Sequence, residues 1–181
     1  LRHTVDPETL FRKYWYLSGI NEAMRAELAD VVRAGMELHG DVKAVVDIGA
    51  NDGTLLSYVP KDIVRVGIEP AQNMSAALCQ HATYVNCDFF PAATTGTKSG
   101  WVDLITSIAT FYAAPDPIAY VKEIDRLLSP TGIWIVQMQD LGQMVQANAF
   151  DNICSEHLFY YSTTTFANLL DSSNLHIVRI E

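Results

Sequence analysis

Two hydrophobic periods alternate along the chain. From Asn21 to about Leu38 the apolar positions Met24, Leu28, Val31, Val32 and Met36 recur at helical spacing. Asn21 is placed to cap that helix and Gly40-Asp41 to end it. Ala44 to Ile48 reads as a buried strand followed at once by a Gly-rich turn, and a short helix runs from Thr54 to a stop at Pro60. Val64 to Glu69 is a second strand, stopped by Pro70; Asn73 to Gln80 is helical, and Thr83 to Asn86 is a third strand. After a polar loop over Thr94 to Gly100 comes a fourth strand, Val102 to Ile108. Asp116-Pro117 starts a helix, with Ile118, Val121, Ile124 and Leu128 as its buried stripe. Ser129 to Gly132 reads as a turn into a fifth strand, Ile133 to Met138. Ser162 or Thr163 caps a helix to about Leu170, and Leu175 to Ile180 alternates as a last strand. Strands and helices in alternation force parallel pairing with both sheet faces covered. The pattern predicts a doubly wound α/β domain with a mostly parallel sheet.

Composition narrows the function. The 181 residues suit one domain, and 49% apolar against 18% charged residues excludes a disordered chain. Twelve Lys and Arg face 21 Asp and Glu, a net charge of −9, which argues against duplex nucleic acid as a partner. No apolar run reaches the roughly 20 residues that span a bilayer, so no membrane role is predicted, and no signal peptide opens the chain. The first residue, Leu1, is not Met, which points to a piece of something longer. Cys79, Cys87 and Cys154 are odd in number and far apart, which suggests a reducing, cytoplasmic setting. His3, His39, His81 and His176 have no acid or Cys at metal-ligand spacing, so no metal is predicted.

In an open parallel sheet, ligands sit beyond the carboxyl ends of the strands. The first such end is Asp47-Ile48-Gly49-Ala50-Asn51-Asp52-Gly53, where Gly49 and Gly53 permit a tight turn and close backbone approach. A pyrophosphate would want no anion in this cradle. Asp47 and Asp52 suit a cationic ligand instead, and S-adenosylmethionine carries an ammonium and a sulfonium. Glu69, before Pro70, can accept both hydroxyls of a ribose, a feature shared with dinucleotide folds. Asp88 can accept from an adenine amino group and Phe89 can cover its ring; read alone, they are a turn residue and a core residue. Three acids at three successive strand ends favour a nucleoside site.

Asp-Ile-Gly-x-Asn-Asp-Gly, Ile-Glu-Pro and Cys-Asp-Phe together resemble the class I S-adenosylmethionine-dependent methyltransferases. Asn51 stands where many members have a middle glycine, and Asn also accepts left-handed backbone geometry. Tyr14 to Asn21 resembles the aromatic Tyr-x-Tyr-x-Ser-Gly segment of the sugar C-methyltransferase family, as does Ile108 to Tyr112 before Asp116-Pro117. Asp151 to Ser162 is similar to that family's Ile-Tyr-His-Glu-His motif or its Ile-Cys-His-Glu-His variant, with Cys154 at the motif tyrosine and Ser155 at its first histidine.

The resemblance implies a Rossmann-like methyltransferase sheet that lacks its seventh strand here. It implies an aromatic segment and helix over residues 1–40 that contribute to the cofactor site, and a cofactor-binding domain over 41–181. It puts Tyr16, Ser18, Pro70, Ile108 and Ala109 at the cofactor beside Asp47, Gly49, Asn51, Gly53, Glu69, Asp88 and Phe89. It implies C-methylation of a small, nucleotide-linked keto-deoxysugar, with His157 as base and Glu156 as its orienting or proton-sharing partner. It also implies flanking zinc-binding and C-terminal substrate domains, neither present here. Tyr160 and Tyr161 read equally as core or substrate contacts, and an isolated Glu-His pair reads as a loop histidine bonded to the backbone. An oxygen or nitrogen acceptor stays open, as does a cofactor-binding module inactive without further domains. A monomer is the favoured state.

Overall fold

The computed structural model describes residues 5–181; Leu1 to Thr4, and so His3, lie outside them. Five strands form one sheet: β1 (Ala44–Ile48), β2 (Val64–Ile68), β3 (Tyr84–Asn86), β4 (Val102–Ile108) and β5 (Leu128–Gln137). All pairs are parallel, in the order β3-β2-β1-β4-β5. The order reverses at β1, so the loops after β1 and β4 diverge and leave a crevice at the carboxyl edge.

Every residue of β1 is buried, because helices cover both faces. On one face, α2 (Glu22–His39) and α3 (Thr54–Ser57) bring Leu28, Val32, Leu55 and Leu56 onto Val45 and Leu104. Gly35 lets α2 approach this closely: a Cβ there would collide with Leu104. On the other face, α5 (Pro117–Leu127) and α7 (Thr163–Leu170) set Val121, Ile124 and Phe166 against Val46, Ile48 and Ile105. Each such side chain contributes about 1.5–3 kcal/mol by burial. Side-chain caps start the helices as the sequence implies, with Asn21 on α2, Asp116 on α5 and Ser162 on α7. The remaining helices are α1 (Pro7–Phe11), α4 (Ser75–Leu78) and α6 (Leu141–Ala147). The pattern along the sequence marks neither α1 nor α6.

Two elements differ from the sequence reading. Ser129 to Gly132 is not a turn before β5 but an irregularity within it: Leu128 pairs with Val102 and Ile133 with Leu104, so four residues oppose Asp103 alone. Helix α5 therefore runs straight into β5. Leu175 to Ile180 forms no strand. Leu175 and Ile177 pack onto the core while Val178 and Ile180 are exposed, and no neighbouring strand offers a ladder to this segment among the described residues. Alternation gave it a buried face, but strand formation also needs a partner edge. No helix is long and apolar enough to cross a membrane among the described residues.

Candidate active site

The loop after β1 is built on left-handed backbone. Gly49, Asn51 and Gly53 all have positive φ, of 74°, 50° and 83°. Gly49 gives the tight turn, but the space above its Cα belongs to Thr110, not to a ligand; any Cβ would collide with the Thr110 methyl. The loop's side chains also face inward. Asp52 Oδ1 accepts from Thr54 N and Oγ1 at 3.1 and 2.6 Å, and its Oδ2 accepts from Gly19 N at 2.9 Å. Asp52 is thus committed to holding the chain rather than a cation.

Asp47, at 3% exposure, lies beneath the loop, and Thr106 Oγ1 donates to it at 2.7 Å. Burial pushes its pKa up to about 7, the Thr106 hydroxyl opposes that rise, and the nearby Glu69 charge adds to it. Glu69 is also buried. Its Oε2 accepts from Asn51 N and its Oε1 from Ala71 N, both at 2.8 Å. Burial raises the Glu69 pKa against the pull of these two amides. Each oxygen keeps a second lone pair, the acceptor set a ribose diol needs. Pro70 follows, half-buried. Asp88 Oδ1 accepts from Phe89 N and from Arg12 Nη2 at 2.9 and 3.0 Å. At the end of β4, Ile108 packs on the α2 face and Ala109 is exposed with φ of 55°, a strained geometry for a residue with a Cβ.

Residues 12–19 form a strap across three strand ends. Arg12 bonds Cys87 O and Asp88 after β3, and its carbonyl accepts from Gln72 N after β2. Tyr14 and Asn73 exchange two bonds, at 3.1 and 2.7 Å. After β1, Asn51 Nδ2 donates to Tyr16 O at 2.9 Å and its Oδ1 accepts from Ser18 N at 3.0 Å. Tyr16 and Ser18 therefore meet the Gly-rich loop through their main chain. A cavity of about 470 Å³ opens between the strap and Asn73-Met74, lined also by Lys13, Tyr14, Trp15 and Leu17.

The segment with the Glu-His pair folds against the other side of the crevice. His157 Nδ1 lies 3.0 Å from Asn152 O, so this nitrogen carries the proton and Nε2 is the basic one. The imidazole packs 4.1 Å from the Tyr112 ring, centroid to centroid. Tyr112 O accepts from Leu158 N and Phe159 N at 3.0 and 3.1 Å, which ties the segment to the end of β4. Among the described residues no hydrogen bond joins Glu156 to His157: the Glu156 carboxylate accepts from Ser155 Oγ at 3.0 Å, and the Asn152 carbonyl is the hydrogen-bond partner of the imidazole. Adjacent residues in this turn point apart, so sequence adjacency misleads. Tyr14 and Tyr112 both feel the charge of Glu156, and Tyr14 also feels Glu69, so this cluster adjoins the strand-end acids. Burial, before these charges, raises both phenols, Tyr112 to about 12, and keeps them protonated at neutral pH. Tyr161 is core, against Phe111 and Phe166, whereas the Tyr160 hydroxyl accepts from Cys154 N at 3.3 Å. Among the described residues no group of three or more His, Cys, Asp or Glu could hold a metal.

Sequence reasoning misses Arg12, Tyr14, Asn152 and Tyr112 as site residues. Tyr14, Tyr112 and Asn152 lie within the stretches that carry the family resemblance, whereas nothing in the sequence marked Arg12.

Strand-end acids, the glycine turn and the covering strap thus meet at the carboxyl edge of the sheet. Residues 20–180 match the family model of a methyltransferase domain, and the chain belongs to that family. C-methyltransferase NovU of Streptomyces niveus is 27% identical over 190 residues, a match taking in 99% of this chain and 44% of NovU. The chain thus spans less than half the length of that relative. A chain from the complex of the Haloferax volcanii Trm112 methyltransferase activator with a putative methyltransferase has a TM-score of 0.62 at 21% identity, over 86% of this chain and 77% of its own. The plantazolicin methyltransferase BamL, solved with a triazolic desmethylPZN analog and SAH, has a TM-score of 0.64 at 17% identity, over 82% of this chain and 62% of its own. The solved structures agree with the Rossmann-like fold read from the sequence, and the family match with the methyltransferase class.

Proposed function

We propose that this domain serves carbon methylation of a small, nucleotide-linked keto-deoxysugar, with S-adenosylmethionine as the methyl donor. The observation that carries the proposal is the His157 imidazole, held by the Asn152 carbonyl with Nε2 left as its acceptor nitrogen and packed against the Tyr112 ring. The kinship with a C-methyltransferase supports it.

Glu69 holds the ribose diol, Asp88 and Phe89 receive the adenine, and Asp47 supports the turn from below through its bond to Thr106. Main-chain groups of Tyr16, Ser18 and the Gly49–Gly53 loop shape the walls, with Pro70, Ile108 and Ala109 at their edges. When bound, S-adenosylmethionine supplies an electrophilic methyl group. His157 Nε2 takes the proton from the carbon beside the ketone. Tyr14 or Tyr112 donates a hydrogen bond to the oxygen on which enolate charge develops, the task the motif tyrosine would have at Cys154. The strap and the aromatic cluster exclude water from that charge.

The test is a screen of nucleotide-linked keto-deoxysugars and other small metabolites for a mass gain of one CH2, with the new methyl located by NMR. A methyl on the carbon next to the ketone supports the reading. A methyl on oxygen or nitrogen assigns His157 to deprotonating a heteroatom instead.

A further inference from the structure

We propose that Arg12 is a positioning residue for the adenine end of the cofactor site, acting through Asp88 and Phe89. This rests on reading Asp88 as the acceptor of the adenine amino group.

The guanidinium is held on every side. Its Nε and Nη2 meet the two oxygens of Glu8 at 2.6 and 2.9 Å, one turn earlier on α1. Helix α1 is short, but Asp6 caps it and Pro7 occupies its first turn, so Glu8 is presented in register. Nη1 donates to Cys87 O at 3.1 Å and Nη2 to Asp88 Oδ1 at 3.0 Å. The guanidinium carbon lies 4.7 Å from the centroid of the Phe89 ring. The Arg12 carbonyl anchors the same residue to Gln72 N at 3.1 Å.

These contacts have one result at Asp88. Its Oδ1 takes both protein donors, Arg12 and Phe89 N, while Oδ2 receives none among the described residues. The side chain is half exposed, which leaves Oδ2 of a fixed carboxylate to accept from a ligand. The Phe89 amide and the Arg12 guanidinium together hold this carboxyl below its usual range, so Oδ2 stays an acceptor at neutral pH. An adenine amino group donates and the oxo group of hypoxanthine does not, so this acceptor distinguishes the two. Arg12 also fixes the Phe89 plane, the surface a purine would lie against. Arg12 thus contributes to cofactor choice without touching the cofactor's reacting atoms.

The experiment is calorimetry on this chain with two probes, S-adenosylhomocysteine and S-inosylhomocysteine, in which an oxo group replaces the amino group. The variants are Arg12→Ala, Arg12→Lys, Asp88→Ala and the double Ala variant, with melting curves confirming folding. Arg12→Ala is expected to weaken the adenosyl probe about tenfold and the inosyl probe far less, collapsing the preference. Arg12→Lys restores part of it, and in the Asp88→Ala background the loss of Arg12 costs little more. Equal weakening of both probes, or additive losses in the double variant, makes Arg12 a strap fastener and overturns the proposal. Asp88→Ala weakening the adenosyl probe while Arg12→Ala does not overturns the proposal alone. Should Asp88→Ala leave both probes unaffected, the adenine reading of Asp88 falls and takes the proposal with it.

Discussion

The main-chain amide of Asn51 donates to the buried carboxylate of Glu69 at 2.8 Å, fixing the loop after β1 to the end of β2. The same asparagine ties the strap down through Tyr16 O and Ser18 N. Its φ of 50° is one that glycine adopts without strain. Asn51→Gly should therefore keep the loop and its bond to Glu69 yet unfasten the strap. The expected outcome is faster hydrogen exchange at the Ser18 amide and about tenfold weaker S-adenosylhomocysteine binding, from two lost hydrogen bonds. Unchanged exchange and affinity would show that the strap is held elsewhere.

Asp47 makes stability depend on pH. Its native pKa is raised to about 7, chiefly by burial, whereas an unfolded Asp titrates near 3.9. Between those values the native state binds the extra proton, so stability falls as pH rises from about 4 to about 7 and then levels off. Asp47→Asn keeps an acceptor for Thr106 Oγ1 and removes the buried charge. The variant should be more stable at pH 8 by on the order of 2–4 kcal/mol, with the gain shrinking toward pH 5. Urea unfolding at both pH values measures this; a gain independent of pH would contradict it.

Glu69 and Asp103 sit at opposite ends of the sheet and do similar structural work. Each Glu69 oxygen accepts a main-chain amide, whereas Asp103 accepts from Lys43 N, Ala44 N and Ser129 Oγ. Glu69→Gln and Asp103→Asn each turn one acceptor into a donor facing a donor, at about 1–3 kcal/mol of stability. Only Glu69→Gln should also weaken S-adenosylhomocysteine, by roughly ten- to a hundredfold, because only Glu69 lies at the carboxyl edge proposed to hold the nucleoside. Equal dissociation constants for the two variants would remove Glu69 from the site.

Strands β1 and β4 were fully legible because both faces are buried, so their apolar runs are unbroken and turn residues bound them. The acids at the strand ends were legible for the same reason, since topology alone puts Asp47, Glu69 and Asp88 on one edge. The strap was not. Its bonds run from main chain to Asn51, Asp52 and Asn73, and such contacts leave no period in the sequence. The irregularity at Ser129 to Gly132 looked like a turn because Pro and Gly also serve edge-strand bulges. The contacts within Asp151 to Ser162 leave no trace in the sequence: His157 Nδ1 meets the Asn152 carbonyl five residues back, while the adjacent Glu156 accepts from Ser155.

On the proposed mechanism His157 removes a proton from carbon. The direct measurement is solvent deuterium uptake into a nucleotide-linked keto-deoxysugar, by the full-length protein with S-adenosylhomocysteine present, so that methyl transfer is blocked. The account predicts deuterium at the carbon beside the ketone, with uptake lowered about a hundredfold or more in His157→Ala while S-adenosylhomocysteine binding stays nearly intact. No uptake by a protein that still methylates this sugar, or uptake unaffected by His157→Ala, would contradict it.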